Sequence, residues 1–425
     1  MKIKQDELTW LKLDNAALIY PATLSRKQAA MFRLTVTLND KVDIDILSKA
    51  IENIMPRFPT FNFTLKEGLF WFYFDPIDDR PKIDGDYQNP LLRICFKENK
   101  NYLFRVRLYG SRIAVEFFHA LTDGTGGLTF LLTLTGEYLK IKYGINVEYN
   151  NLVLNPKEEA CKEEIEDSFL RYARGKGGLE HEKKAYHMTG VMENYNILNI
   201  ITGIVSVSKL KTITKKYKAT ITEFLVSLMI LCIEEISQKE IKQNKKPIKV
   251  SVPINLRNIY KTKTLRNFSS YVNVGIEATK ESHTLDEILK NVKKQLKEKT
   301  REKNINAKIS GNVNMAKNIF VRIVPMFIKK RIMALFESVM GDGYITTTLS
   351  NIGLVYVPLE MQKYITDMNF ILGRSRGKST SVSAIGYGDK LYISFSRKIK
   401  EAEFERLFFT KLVKMGLMVE IESNR

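Results

Sequence analysis

Apolar positions recur along the chain with two different periods, and the period switches often. Arg33 to Leu38 is a short apolar and β-branched run, the pattern of a strand. Asp43 to Met55 then sets Ile44, Leu47, Ala50, Ile51 and Ile54 at three- and four-residue spacings, with an Asp where a helix would begin. Strands are predicted at Phe61 to Leu65, Leu69 to Phe74, Leu91 to Phe96, Tyr102 to Leu108 and Arg112 to Phe118, and a helix from about Leu128 to Tyr143. Asn155 to Lys184, dense in Lys, Glu and Gly, interrupts the pattern. A second mixed region follows. Its expected strands are Ile197 to Val207, Ile248 to Ile254, Tyr271 to Ile276, Ile345 to Leu349, Met368 to Leu372, Ser381 to Ile385 and Leu391 to Phe395. Its expected helices are Thr222 to Ile236, Leu285 to Glu298, Ala307 to Met340 broken at Pro325, and Glu401 to Met418.

Sheet and helix thus alternate in both halves, which is an α/β (α+β) pattern. A chain of 425 residues exceeds what one core usually supports, so two domains are expected. The composition shift places them at 1–155 and 191–425, with a charged linker at 156–190. Cys95, Cys161 and Cys232 lie far apart with no CxxC pair, which argues against a disulfide framework and for a reducing, cytoplasmic setting. Met1 to Glu7 has charge without an apolar run behind it, so no secretory signal is expected. The most apolar helical stretch, near Ile221 to Ile236, is short and holds Glu223, Glu234 and Glu235, so no transmembrane segment is expected either. Lys and Arg exceed Asp and Glu by 67 to 47, an excess that attracts anionic partners. No zinc-finger spacing, aromatic RNP-like strand or basic tail accompanies it, so nucleic acid ranks behind phospholipid, coenzyme A or an acidic carrier protein.

The chemistry concentrates at Phe117-Phe118-His119-Ala120-Leu121-Thr122-Asp123-Gly124. A hydrophobic strand delivers a His, an acid follows four residues later, and a Gly permits a tight backbone where the next helix begins. His suits proton removal from an attacking nucleophile because its pKa lies near working pH. Such a His-xxx-Asp-Gly arises by chance in about one chain in a hundred of this composition. His181 and His187, in the charged linker, lack the acidic or Cys arrangement of a ligand set, so no metal is expected, and His283, before the cap candidate Thr284, is expected in an exposed loop.

This segment resembles the HxxxDG signature of the coenzyme A-dependent acyltransferase superfamily, which includes chloramphenicol acetyltransferase, alcohol acetyltransferases and peptide-synthetase condensation domains. Further segments resemble the family in order: Arg57-Phe58-Pro59, Val252 to Arg257, Tyr271-Val272-Asn273 and Ser350-Asn351-Ile352-Gly353. Position 118 is Phe where condensation domains usually carry a second His, which points to the alcohol acetyltransferase type. The resemblance implies two chloramphenicol-acetyltransferase-like domains in one monomeric chain, a pseudo-dimer with an active-site tunnel between them. It implies acyl transfer from acyl-CoA or an acyl carrier thioester to an alcohol, with His119 as general base and no permanently bound cofactor. The rival activities are amide-forming condensation and a catalytically idle fold that binds a carrier protein or lipid. Asp123 is then structural, paired with Arg257, and Gly124 shapes the loop. Ser350, Asn351 and Asn273 are candidate oxyanion or substrate contacts.

Two weaker signals remain. Gly373 to Thr380 resembles a P-loop, but its first Gly stands one residue too close and strands follow, so a nucleotide-hydrolysing loop is excluded. Within it Arg374, Arg376 and Lys378 are candidate contacts for the phosphates of coenzyme A or of a carrier's phosphopantetheine arm. Phe320 to Phe336 mixes apolar residues with Arg322, Lys329, Lys330 and Arg331; a packed amphipathic helix is expected there in preference to a membrane-lying one.

Overall fold

The computed structural model describes residues 2–3, 9–25, 28–175, 177–178, 182–240, 245–279, 281–336 and 342–425, with backbone alone at 2–3, 333–336 and 342. His181 and residues 337–340, the expected end of the long helix, lie outside these.

Two main sheets organise the described residues. In the first half the strands are β1 (Met31–Leu38), β2 (Phe63–Glu67), β3 (Phe72–Pro76), β4 (Ile83–Gly85), β5 (Phe104–Tyr109) and β6 (Arg112–Phe118). In the second half they are β7 (Asn199–Ser206), β8 (Ile248–Asn255), β9 (Ser269–Ile276), β10 (Thr347–Val355), β11 (Ile365–Leu372), β12 (Thr380–Tyr387), β13 (Lys390–Arg397) and β14 (Glu420–Ser423). A five-stranded sheet runs β11-β1-β6-β5-β4, and a seven-stranded sheet runs β9-β8-β10-β12-β13-β7-β14. Strands β2 and β3 form a separate hairpin, joined by Leu11–Lys12.

Strand β11 crosses between the two halves of the chain. It lies in the second half of the sequence, yet it pairs antiparallel with β1, setting Phe370 opposite Leu34 and Met368 opposite Val36. Met368, Phe370 and Ile371 therefore pack in the first core. The crossover covers an edge of β1 that would otherwise present unpaired N–H and C=O groups. Residues 191–425 thus supply one strand of the first sheet.

Local signals account for most of the helices. Helix α1 (Ile19–Thr23) is a single turn. In α2 (Ile44–Ile54) the Asp43 carboxylate accepts from the N–H groups of Asp45 and Ile46, and Leu47, Ala50, Ile51 and Ile54 are buried, as the spacing predicts. Helix α3 (Gly124–Tyr143) is capped by Asp123 and stopped by Gly144 at φ 67°, a left-handed conformation that glycine adopts without strain. Other helices include α4 (Val207–Lys216), α5 (Ile221–Gln238), α6 (Leu285–Lys299), α7 (Glu302–Lys317), α8 (Ile319–Ile323), α9 (Met326–Phe336) and α10 (Glu403–Lys414). None of the helices among the described residues is long and apolar enough to cross a membrane.

Three elements differ from expectation for identifiable reasons. Leu91 to Phe96 forms no strand: Leu91 adopts φ 60°, its N–H donates to Glu116 Oε1 at 2.9 Å, and Arg105 takes the Leu92 carbonyl at 2.8 Å. A buried ion cluster thus captures the backbone groups that a ladder would have used. Val207, expected to end a strand, instead begins α4, because the Ser206 hydroxyl accepts from the Lys209 N–H. β14 is an exposed edge strand, so it carries no alternating apolar pattern to detect.

Candidate functional site

Strand β6 ends at Phe118, and the chain must turn before α3 begins. His119 occupies that turn, its N–H held by the Ala30 carbonyl at 2.8 Å. The imidazole is half-buried. Tyr20 stacks on it with centroids 4.5 Å apart and planes at 21°, while Phe32 meets it edge-on at 5.2 Å. His119 Nδ1 lies 3.0 Å from Asn267 Oδ1. The Asn267 amide nitrogen donates to Asp14 Oδ2 at 3.2 Å and more loosely to the Ala120 carbonyl at 3.4 Å, so its oxygen faces the ring as an acceptor. Nδ1 therefore carries the proton, and Nε2 presents a lone pair. Burial holds the imidazole pKa below its ordinary value; a hydrogen bond to the residue's own backbone, then Asp123, Asn267 and Asp14, oppose that shift without overcoming it.

Asp123 is fully used elsewhere. Oδ1 accepts from the N–H groups of Thr125 and Gly126 at 3.2 and 3.1 Å, and Oδ2 accepts from Arg257 Nη1 and the Phe268 N–H, both at 2.8 Å. Burial alone would raise this carboxyl, but Arg257 and the backbone donors bring its pKa below the ordinary range. The Arg257 guanidinium in turn donates to the carbonyls of Thr264 and Arg266 at 3.0 and 2.7 Å. Thr122 adds a 2.6 Å bond to the Leu265 carbonyl. Residues 264–268 thus clamp the whole turn, and Asn267 reaches the His ring because its neighbours are bonded to the same loop.

Steric tightness was expected at Gly124 but falls two residues later. A Cβ on Gly124 would meet Ile352 at an ordinary 3.7 Å, whereas one on Gly126 would stand 2.2 Å from both the Leu265 carbonyl oxygen and Thr122 Oγ1. Other sequence-predicted residues bond to partners other than the imidazole. Asn351, on β10, donates to Thr222 Oγ1 at 3.0 Å and accepts from the Gly353 N–H, and it lines a cavity of about 390 Å³ against α4 and α5. Ser350 is half-buried beside Ser383 of β12. Asn273, on β9, donates to Glu182 Oε1 at 2.9 Å, and its own oxygen is buried without a partner.

The basic loop joining β11 to β12 is not uniformly solvated. Arg374 is buried, bonded to the carbonyls of Glu193 and Asn194 and lying over Tyr195. Lys378 donates to Thr348 Oγ1 at 2.9 Å, and Arg376 is exposed. The loop abuts the motif from the other side, since the Gly373 N–H donates to the Met31 carbonyl at 2.8 Å.

Sequence reading did not single out Asn267, Asp14 or Tyr20. Asp14 is the least legible: it is buried, and burial raises its carboxyl to about 6 against the nearby Arg266 charge. It stands 253 positions from Asn267 in the chain, with nothing around it in sequence to suggest a role. An isolated Asp among Leu13, Ala16 and Ala17 was the one available hint.

Comparison with solved structures shows the fold. TRI101 of F. graminearum, solved with coenzyme A and deoxynivalenol, aligns over 97% of this chain and all of its own, at 10% identity and TM-score 0.66. The TRI3 trichothecene 15-O-acetyltransferase of Fusarium sporotrichioides aligns over 96% of this chain and 94% of its own, at 10% identity and TM-score 0.61. The epimerization domain of the third module of tyrocidine synthetase B aligns over 97% and 96%, at 12% identity and TM-score 0.61. The chain therefore has the two-lobed architecture shared by such acyltransferases and condensation-like domains. No family model and no curated protein matches the sequence.

Proposed function

We propose that the protein transfers an acyl group from acyl-CoA, or from an acyl carrier thioester, to an alcohol, with His119 as general base. The observation that carries this reading is the contact between His119 Nδ1 and Asn267 Oδ1: an amide oxygen there accepts from Nδ1–H, which leaves Nε2 of an uncharged ring to accept a proton. In the reaction the acceptor hydroxyl gives its proton to Nε2 as its oxygen attacks the thioester carbonyl. The tetrahedral adduct then collapses, the carbon–sulfur bond breaks, and the departing thiolate takes the proton back from His119 as free thiol. Asp123 and Arg257 brace the turn. Arg257 has no part in proton transfer, because its donors are spent on Asp123 and backbone carbonyls. Ser350 remains a candidate donor to the oxyanion, whereas the Asn351 amide is committed to Thr222. Because both lobes lie in one chain, the reading takes the protein as a monomer. Its net charge of +20 suits coenzyme A or an acidic carrier.

The test is thiol release from a panel of acyl donors and alcohols, followed by a thiol-reactive dye. His119→Ala is expected to lower kcat by about a hundred to ten-thousand-fold, the range for loss of a general base. Undiminished turnover in that variant would sink the assignment. Tight carrier or lipid binding without turnover in the native protein would favour the idle reading.

A further inference from the structure

The expected packed helix at Phe320 to Phe336 turns outward instead. In α8 and the described side chains of α9, Ile319, Phe320, Val321, Ile323, Phe327, Ile328 and Ile332 are exposed, with Phe320 at 76% and Phe327 at 62%. The tip of the β2–β3 hairpin continues the patch. There Leu69 is 67% exposed and Trp71 is open beside it, while the Met326 N–H donates to the Leu69 carbonyl and Lys329 Nζ to the Phe70 carbonyl, both at 2.7 Å. So many large apolar side chains exposed on adjoining elements are unusual for a surface that meets only water.

Charge identifies what the face meets. Between Glu302 and Glu337 the chain carries Lys303, Lys308, Lys317, Arg322, Lys329, Lys330 and Arg331 and no acidic residue. Lys330 ion-pairs with Glu67, and Lys317, Arg322 and Arg331 are exposed around the apolar side chains. Phe, Trp and Ile in a basic frame match an anionic lipid surface: the rings enter the headgroup boundary and the cations meet the phosphates.

We propose that α8, α9 and the β2–β3 tip dock the protein on an anionic lipid bilayer. The face stands close to the candidate base. Helix α1 packs on α9 and carries Tyr20 onto His119, and a groove of about 310 Å³ beside it is lined by apolar Pro21, Ala22, Leu24, Leu65 and Phe72 together with charged Lys66, Glu67, Arg93 and Lys330. A bilayer-borne acceptor or long acyl donor is the substrate class this placement serves. That use rests on the acyl-transfer reading; the docking itself does not.

Flotation of the full chain tests it, with vesicles of phosphatidylcholine alone or mixed equally with phosphatidylglycerol, at about 0.1 M salt. The expected result is at least about tenfold more protein floating with the anionic vesicles. Phe320→Glu with Phe327→Glu is expected to remove that binding, and Lys317→Glu with Arg322→Glu to do the same by charge alone. All four side chains are exposed, and circular dichroism checks that each variant is folded. Thiol release from a water-soluble short-chain donor, run alongside, reports the catalytic reading separately and is expected to be unchanged in these variants. Failure of the native protein to float, or equal flotation with both vesicle types, overturns the docking proposal whatever the thiol assay shows. Light scattering that finds a dimer split by Phe320→Glu, without flotation, assigns the face to a second copy of the chain and overturns it as well.

Discussion

The imidazole of His119 depends on a side chain 148 positions away in the chain. If Asn267 fixes the tautomer, Asn267→Ala lowers kcat by about ten- to a hundredfold, comparable to losses seen when a partner that orients a functional His is removed, with KM little changed. The pH dependence separates this from a merely structural role. Burial lowers the His119 pKa, so the acid limb of kcat/KM is expected at a midpoint below 6.5, where the uncharged base first forms as pH rises. The Asn267 bond favours the charged ring, so its loss moves that midpoint lower still. A rate loss with an unmoved limb would show that Asn267 only supports packing. Sequence exposed the base through its motif but not its partner, because nothing in the Arg266-Asn267-Phe268 run distinguishes an active-site amide from any polar residue before a strand.

The turn between β6 and α3 is held from outside itself. Asp123 is both helix cap and ion-pair partner, so Asp123→Ala removes the cap and leaves the Arg257 guanidinium uncompensated in a buried setting. A loss of about 3–5 kcal/mol in urea unfolding is expected, more than the ~1 kcal/mol of a cap alone. Gly126→Ala places a methyl against the Leu265 carbonyl and is expected to cost about 1–3 kcal/mol, while Gly124→Ala, which meets only Ile352, costs less. Equal costs at the two glycines would mean that the clamp yields. Elements of this kind were well marked in the sequence where their own residues decide them, as at Asp43, which caps α2. They were poorly marked where a distant group intervenes, as at Leu91 beside Glu116.

The two lobes share a strand, so they are expected to share their folding. Residues 1–190 expressed alone lack Ile365–Leu372 and leave β1 with an open edge. That fragment is expected to aggregate or to lose native circular dichroism, whereas co-expression with 191–425 should recover a complex of full-chain size by gel filtration. A soluble, cooperatively unfolding 1–190 would show that β11 is dispensable to the first sheet. The outward face of α8 and α9 belongs to the same level of organisation: whether an apolar side chain is core or surface depends on what the rest of the chain brings against it.

Read from end to end, the residues alone specified the His-xxx-Asp-Gly turn, most strands and helices, and the mixed sheet-and-helix class, because those features are written in spacings of two to four residues and in caps beside the elements they start. The pairing of β11 with β1, the Asn267–Asp14 support behind the imidazole, the burial of Arg374 and the exposure of Phe320 came only with the folded chain. Each joins positions far apart in sequence, and packing, not local propensity, settles which of many compatible partners meet.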